Sequence, residues 1–335
     1  MTNNKTFKHN LNQASWLIAI SEHKESIDYD SRLHLDKPNT YDDIKNRAKF
    51  MYTGIYAPRD PSIEKLISSL SVKELRKEIN INEFSNTIKN WFKKSNLISI
   101  LGVDKLQNLT LGNGASDFIF SLINRSKNEF GILKNTYYNT FDMLDQYQLT
   151  VTHPLNCKKG QTVLIEYPSP HYSVTELKNI IKKCVNKECY LTIDLTLLPI
   201  TNQKIEIDLT PFNEIYFSMH KALPIDDFRS AIRFSKTKIN DHYSIMQQQR
   251  YYNRVGANLF LKFINNFELD YVYNKHNDNI NSINKTFKLT KTNLLWLSKS
   301  SNYKNPVDHM PSKHYNFNEL ISISRLIENK DKFFW

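Results

Sequence analysis

The amino-acid sequence predicts an α/β fold: a mostly parallel, seven-stranded sheet flanked by helices, followed by a smaller α+β C-terminal domain. Two observations lead to this prediction. The middle of the chain alternates short apolar runs with amphipathic segments, which is the pattern of strand–helix units around a parallel sheet. The chain is also long enough, at 335 residues, to bury a substantial core. The candidate strands are Leu106–Leu111, Phe130–Leu133, Leu149–Thr152, Thr162–Glu166, Tyr190–Asp194, Glu214–Ser218 and Ala231–Ser235.

Three amphipathic segments between these strands are predicted helices: Ala115–Asn124, Tyr138–Gln146 and Ser173–Val185. In the last segment the apolar residues recur with the 3.6-residue period of a helix, so that one face packs on the sheet. These residues are Val174, Leu177, Ile180, Ile181 and Cys184. A sheet of this kind binds its ligands at the carboxyl ends of the strands.

The segments on either side of this core are predicted to be mainly helical. The helices expected there are Pro61–Ile79, Glu83–Lys94 and Gln247–Phe267. Strands Phe287–Leu289 and Leu294–Leu297 and a helix at Phe317–Glu328 are expected near the C-terminus. We therefore predict an N-terminal arm at residues 1–47, a major domain at 48–262 and a small C-terminal domain at 263–335.

Composition is ordinary for a globular protein, and the net charge is mainly background. The chain is 40% hydrophobic and 24% charged, with a formal net charge of +11. The lysines are scattered through helical stretches rather than massed in one arm, so no nucleic-acid partner is expected. No run approaches the ~18 apolar residues of a membrane span, and the first residues lack the apolar core of a secretion signal.

The three cysteines predict neither a disulfide framework nor a metal site. They are odd in number and lack the paired spacing of zinc ligands. No metal is expected, and a reducing cytoplasm is the predicted compartment.

The most informative motif is Ser218-Met219-His220-Lys221, followed by Arg229, directly after the buried strand Glu214–Ser218. An amine at the carboxyl end of a buried strand can form a Schiff base with an aldehyde cofactor. The hydroxyl of Ser218 and the guanidinium of Arg229 would then hold the phosphate of that cofactor, a task for which the rigid fork of arginine is well suited. The alternative interpretation is a solvated lysine at a strand end.

Other strand ends carry side chains that fit the same chemistry. The turn Gly112–Asp117 joins a strand to a helix, and its free N–H groups favour an anion, although Ser116 could equally be a helix cap. Tyr137 follows a strand and could stack on a flat heteroaromatic ring or lie half-buried in the core. Asp194 ends an apolar strand, where its carboxylate needs a partner such as a protonated pyridine nitrogen, unless it faces water.

The order of these features resembles that of the fold type I pyridoxal-phosphate (PLP) enzymes, specifically the class I/II aminotransferases that include histidinol-phosphate aminotransferase. The resemblance covers roughly residues 105–260. It implies that Lys221 is the Schiff-base lysine, that Asp194 is the partner of the pyridine nitrogen and that Tyr137 stacks on the ring. It also implies a phosphate cup and further cofactor contacts, formed by Gly114, Ala115, Ser116, Ser218, Arg229, Ser169 as a stand-in for an asparagine, and Tyr56 from a partner subunit.

Several positions depart from the family pattern. Asp227 stands where the family usually has a glycine, Tyr167-Pro-Ser-Pro170 replaces an Asn-Pro motif, and Leu197 replaces a common tyrosine. The arginine that grips the substrate's α-carboxylate has no clear counterpart. The candidates to replace it are Lys313, His309 and Arg254.

The resemblance implies a PLP-dependent aminotransferase that acts on an amine or amino acid and a keto acid as a homodimer. Two alternatives stay open at this point. One is another PLP reaction (decarboxylation, elimination or oxidation), because all of these reactions use the same cofactor-binding residues. The other is a degenerate, non-catalytic member of the fold, which Asp227 and the altered Asn-Pro segment favour.

Overall fold

The computed structural model describes residues 55, 57–127, 129–225, 228–299, 311–312, 317–324 and 327. The chain divides into two compact units. One unit spans residues 52–328, and the other, formed by residues 1–51 and 329–335, lies outside the described residues together with the predicted N-terminal arm. The predicted domain boundaries stay a prediction.

A seven-stranded sheet forms the centre of the molecule, as predicted, with the strand order β2-β9-β8-β6-β5-β3-β4. Each strand predicted for this sheet is present within a few residues of its expected bounds. Among the described residues the first nine strands are β1 (Ile98–Leu101), β2 (Asn108–Gly112), β3 (Glu129–Ile132), β4 (Thr150–Thr152), β5 (Thr162–Glu166), β6 (Tyr190–Asp194), β7 (Ile205–Asp208), β8 (Glu214–Ser218) and β9 (Ala231–Ser235).

Most neighbours in this sheet run parallel, and β9 is the exception. Strands β4, β3, β5, β6 and β8 pair in parallel, whereas β9 pairs antiparallel with both β8 and β2. The sequence analysis missed β1 and β7, which form a separate parallel pair. A second sheet of four short strands contains β10 (Thr290–Lys291), β11 (Leu297–Lys299), β12 (Pro311–Ser312) and β13 (Phe317–Ser322).

The helices between the strands of the central sheet lie close to their predicted positions. The helices before and after that sheet are shorter and more numerous than predicted. In chain order they are α1 (Pro61–Ser68), α2 (Val72–Leu75), α3 (Ile81–Phe92), α4 (Ala115–Arg125), α5 (Tyr138–Gln146), α6 (Val174–Asn186), α7 (His242–Gln248), α8 (Arg254–Asn266) and α9 (Tyr271–Thr286).

Two predicted long helices are each broken by a cap. Pro61–Ile79 divides because Ser71 and Glu74 form a capping box that starts α2. Gln247–Phe267 divides because Asn253 caps α8, its side chain accepting the N–H of Gly256 at 2.9 Å.

The C-terminal predictions were wrong in type or position. Phe317–Glu328 was predicted as a helix, but Phe317–Ser322 is strand β13, which pairs antiparallel with β11 and β12. Long-range pairing has overridden local preference there. Phe287 caps the end of α9 rather than starting a strand, and the strands begin later, at Thr290 and Leu297.

The two faces of the central sheet are covered by different helices. On one face, Phe118 of α4 packs on Tyr216 of β8, with ring centroids 5.7 Å apart. On the other face, Phe217 makes edge-on contacts with Phe92 at 5.1 Å and with Phe260 at 6.1 Å. Successive residues of β8 therefore point to opposite layers, and all five are buried.

A buried ionic network occupies the face of the sheet that α4 covers. Arg233 of β9 is fully buried, and its two terminal nitrogens contact the carboxylate of Asp241 at 2.6 and 3.0 Å. Glu214 is also fully buried and accepts two bonds from Arg125, at 2.9 and 3.0 Å. Desolvation of these charges is offset by their pairing, so removal of one partner is costly.

We predict that Arg233→Met lowers the free energy of unfolding by about 3–5 kcal/mol, because it leaves Asp241 buried without its partner. The control is Lys93→Met, which breaks an exposed ion pair with Asp104, where side-chain exposures are 49% and 70%. That change is expected to cost less than about 1 kcal/mol. Urea unfolding of both variants measures the difference, and equal losses would contradict a buried network that stabilises this face.

Candidate active site

The register of the parallel strands gathers acidic and hydroxyl side chains at one edge of the sheet. Glu166 of β5 pairs with Asp194 of β6, and Asp194 pairs with Tyr216 of β8. Paired residues share a face of the sheet, so Glu166 and Asp194 lie on the same face as Tyr216. Ser218 comes two residues after Tyr216 and shares that face, near the carboxyl ends of the strands. This is the face that α4 covers.

Strand β9 brings the start of α4 to the same edge. Ala231 pairs with both Ser218 and Gly112, which places the end of β2 level with the end of β8. Helix α4 begins at Ala115 without a side-chain cap. A Cβ added to Gly114 would meet nothing within 4 Å, so open space lies next to the residue before the helix. The amide of Asp117 donates to the carbonyl of Gly114 at 3.0 Å, whereas those of Ala115 and Ser116 lie before the first intrahelical acceptor and suit an anion there.

Asp194 is held in a fixed orientation at the end of β6. Its Oδ1 accepts the N–H of Thr196 at 2.9 Å and also the Thr196 hydroxyl. Burial raises the pKa of the Asp194 carboxyl, while the Thr196 bonds and the positive charge of Lys221 act in the opposite direction. The positive charge of Lys221 thus acts on the Asp194 carboxyl and favours its ionised form.

Lys221 lies in the turn that follows β8 and is half-buried. The N–H groups of Ala222 and Leu223 both donate to the carbonyl of Met219, at 3.0 Å each. Lys221 therefore belongs to a hydrogen-bonded turn that directly follows a buried strand.

His220 is a site residue that the sequence analysis missed. Its ring Nδ1 is hydrogen-bonded to the hydroxyl of Ser218, which therefore already has a partner. Only 6% of His220 is exposed, and burial, followed by the charges of Arg229 and Lys221, lowers its pKa to about 3. Its Nε2 is buried without a hydrogen-bond partner among the described residues. The position between Ser218 and Lys221 was the signal that could have identified it.

Arg229 precedes β9 and has an exposed side chain. Its carbonyl accepts a bond from the Asn253 side chain at 2.7 Å, and a Cβ on Gly256 would approach the same carbonyl to 2.6 Å. The main chain at Arg229 is thus packed tightly against the start of α8, and its positive charge acts on His220.

Tyr137 lies half-buried directly before α5, near the end of β5. The hydroxyl of its neighbour Thr136 donates to Glu166 at 3.3 Å. Glu166 was not predicted as a site residue, yet it is buried and pairs with Asp194. A carboxylate at the end of an apolar strand was the available signal, the same one that identified Asp194.

Ser169 is buried in the loop after β5, where its hydroxyl accepts the N–H of His171 at 3.3 Å. Its carbonyl accepts a bond from Asn293 at 2.9 Å, which ties this loop to the segment before β11. Ser169 thus lies beyond the strand end that carries Glu166.

The structure does not test the remaining sequence-based assignments that fall on undescribed residues. Tyr56, Asp227, His309 and Lys313 lie outside the described residues. Arg254 begins α8, where its guanidinium stacks over the ring of Tyr252 at 5.9 Å.

Within the part of the chain that the structure describes, no helix combines the length and apolar character needed to cross a bilayer. The same residues contain no group of three or more histidine, cysteine or acidic side chains arranged to hold a metal ion.

Solved structures with the same fold are PLP-dependent enzymes, whereas no protein-family model and no curated protein matches the sequence. An aspartate aminotransferase from Thermotoga maritima is 13% identical with a TM-score of 0.61, over 90% of this chain and 97% of its own. An aminotransferase from Staphylococcus aureus is 12% identical with a TM-score of 0.57, over 84% and 92%. A PLP-bound C-S lyase from Staphylococcus hominis is 11% identical with a TM-score of 0.58, over 82% and 84%.

These similarities confirm the predicted resemblance at the level of the fold. The chain has the fold that class I/II aminotransferases and related fold type I enzymes share, with a mostly parallel seven-stranded sheet flanked by helices. Identities this low leave the reaction to be argued from the site itself.

We predict that His220 makes the protein less stable as the pH falls from about 6.5 to about 3. The folded state keeps the ring neutral, whereas the unfolded chain takes up a proton near pH 6.5, so stability is lost toward acid by up to about 1.4 kcal/mol per pH unit. His220→Asn should flatten this part of the curve of unfolding free energy against pH. Met219→Leu, a neighbouring change that does not titrate, should leave the curve as in the wild type; identical curves for all three proteins would contradict the assignment.

Proposed function

We propose that this protein is a PLP-dependent enzyme that transfers an amino group between an amine or amino acid and a keto acid. The observation that carries the proposal is the strand register. It places Asp194 and Ser218 on one face, level with the open start of α4, and Lys221 follows within electrostatic reach of Asp194.

The donors at this edge suit the phosphate of the cofactor. The amides that open α4 and the guanidinium of Arg229 would contact the phosphate oxygens, with the hydroxyl of Ser218 beside them. The uncapped helix start and the open space beside Gly114 support this use. His220 contributes a buried nitrogen, Nε2, that has no partner among the described residues.

The opposite end of the cofactor would be held by Asp194. When bound, PLP supplies a cationic ring that accepts the electron pair of the bond broken at the substrate's α-carbon. A carboxylate fixed by Thr196 stabilises that ring electrostatically without reorganising, and a facing cation lowers the pKa that burial has raised. Tyr137 would stack on the ring, and Ser169 would donate to its phenolic oxygen.

Lys221 has two roles in the proposal. Its amine would attach covalently to the aldehyde carbon of the cofactor and hold it in the site. When not attached, the Lys221 amine would remove a proton from the substrate's α-carbon as a general base and would return a proton as a general acid.

The proposal includes a homodimer in the cytoplasm, in which Tyr56 of one subunit reaches the phosphate bound by the other. Two-fold symmetry is the commonest arrangement of soluble oligomers. Cys157, Cys184 and Cys189 are free thiols, which suits a reducing compartment.

Lys221→Ala should prevent covalent attachment of PLP. After incubation with PLP and reduction with borohydride, mass spectrometry should find the adduct on the peptide containing residue 221 in the wild type and on no such peptide in the variant. Lys187→Ala is the matched control, because it removes another partly buried lysine, whose amine donates to the Leu155 carbonyl at 2.6 Å. An adduct at residue 221 in neither the wild type nor this control would refute the proposal, and it would favour a non-catalytic protein.

A second candidate function is elimination, which the C-S lyase of the same fold favours. We predict that a single turnover of the PLP-loaded protein with a panel of amino acids releases a keto acid without free ammonia. Ammonia together with sulfide from a sulfur amino acid would instead assign a lyase, and carbon dioxide would assign a decarboxylase. The Lys221→Ala protein gives the background for each product.

A further inference from the structure

A tryptophan from the C-terminal part of the chain contacts the main chain of Lys221. The indole N–H of Trp296 donates to the carbonyl oxygen of Lys221 at 2.6 Å. Trp296 is fully buried, and the two residues are 75 positions apart in the sequence. The bond therefore joins two separate segments of the fold at the residue that carries the amine.

The position of Trp296 is fixed from several directions. Its carbonyl accepts the N–H of Ile323 at 2.9 Å, and the N–H of the preceding residue, Leu295, donates to Ile200 at 2.7 Å. The ring of His276, on α9, packs against the indole with centroids 5.5 Å apart at 67°. An indole held in this way presents its N–H at a defined point.

The turn around Lys221 gains an external restraint from this bond. Its internal bonds run from Ala222 and Leu223 to Met219, so they fix the start of the turn. The indole fixes the carbonyl of Lys221 itself, one bond from the Cα that carries the reactive side chain. Loss of this donor would remove a hydrogen bond that ties the main chain of Lys221 to the C-terminal part of the chain, and the turn would move more freely.

We propose that Trp296 is a positioning residue for Lys221, through which the C-terminal part of the chain sets the direction of the amine. This inference rests on the proposed function for its catalytic meaning. The assignment itself depends only on the contact between the indole and the turn. Side chains that support a reacting group at this distance change its placement without touching the substrate.

The chain contains a matched control for the loss of this bond. Trp91 is also buried, and its indole N–H donates to a main-chain carbonyl, that of Phe267, at 2.7 Å. Trp91→Phe and Trp296→Phe therefore remove the same kind of hydrogen bond and keep an aromatic ring. Trp91 also packs edge-on against Phe217 of β8, a contact that a phenylalanine ring can keep, so only the second change removes a hydrogen bond to the turn of Lys221.

The first measurement is amide hydrogen exchange of residues 219–223, followed by mass spectrometry on protein without added cofactor. Trp296→Phe should speed exchange in this segment about tenfold, because the turn opens more readily, and Trp91→Phe should leave it at the wild-type rate.

The second measurement is the pH titration of the absorbance of PLP bound to Lys221. Trp296→Phe should shift its midpoint by about half a unit or more, because the amine lies differently relative to Asp194, while Trp91→Phe should not. A loss of stability alone would affect both variants alike and would not move this midpoint.

Equal exchange and equal titrations in the two variants would overturn the inference and leave the proposed function standing. If the wild type takes up no PLP, the proposed function fails, and the exchange experiment alone decides whether Trp296 restrains the turn. If Trp296→Phe does not fold, wild-type protein labelled with ¹⁵N-tryptophan replaces it. Addition of PLP should then shift the indole resonance of Trp296 but not that of Trp91, and an unmoved Trp296 resonance would overturn the inference.

Discussion

The pairing register between β6 and β8 is the constraint on which the site depends. Side chains alternate along a strand, so a slip of one residue would turn Ser218 into the aromatic layer and bring Phe217 to the site. The ring contacts of Phe217 with Trp91 and Phe92 oppose such a slip. At the amino end of β8, Glu214 fixes the same register through its buried ionic partners. Core contacts along β8 thus fix the position of Ser218 at the carboxyl end of the strand.

Much of the fold and of the candidate site could be predicted from the sequence because both follow from local pattern. Each strand of the central sheet is a short apolar run between turn residues, and a strand buried on both faces has that signature wherever it pairs. The residues at the strand ends were then fixed in space by topology alone. Asp194 and Lys221 lie near each other for this reason, although 26 other residues separate them in the sequence.

Two of the failures, at strand β13 and at Trp296, have a common cause, which is that non-local contacts decided the outcome. Residues Phe317–Ser322 have a helix-like pattern but form β13, because β11 and β12 supply hydrogen bonds that the sequence does not reveal. The bond between Ser218 and His220 was equally hidden, since it depends on the side-chain conformation of both residues. The contact of Trp296 with Lys221 could not have been predicted from the spacing of residues in the sequence, because the two residues are 75 positions apart. By contrast, the breaks in the two long helices were readable, because their capping residues are in the sequence.

We propose above all that a single edge of the sheet presents donors for a phosphate, an amine and a carboxylate in the order that PLP requires. A crystal structure of the protein grown with PLP tests this claim most directly. The account predicts continuous density from the amine of Lys221 to the cofactor, the phosphate against Arg229 and the start of α4, and the pyridine nitrogen facing Asp194. A cofactor bound with its phosphate at another edge of the sheet, or with Asp194 turned away from its ring, would contradict it.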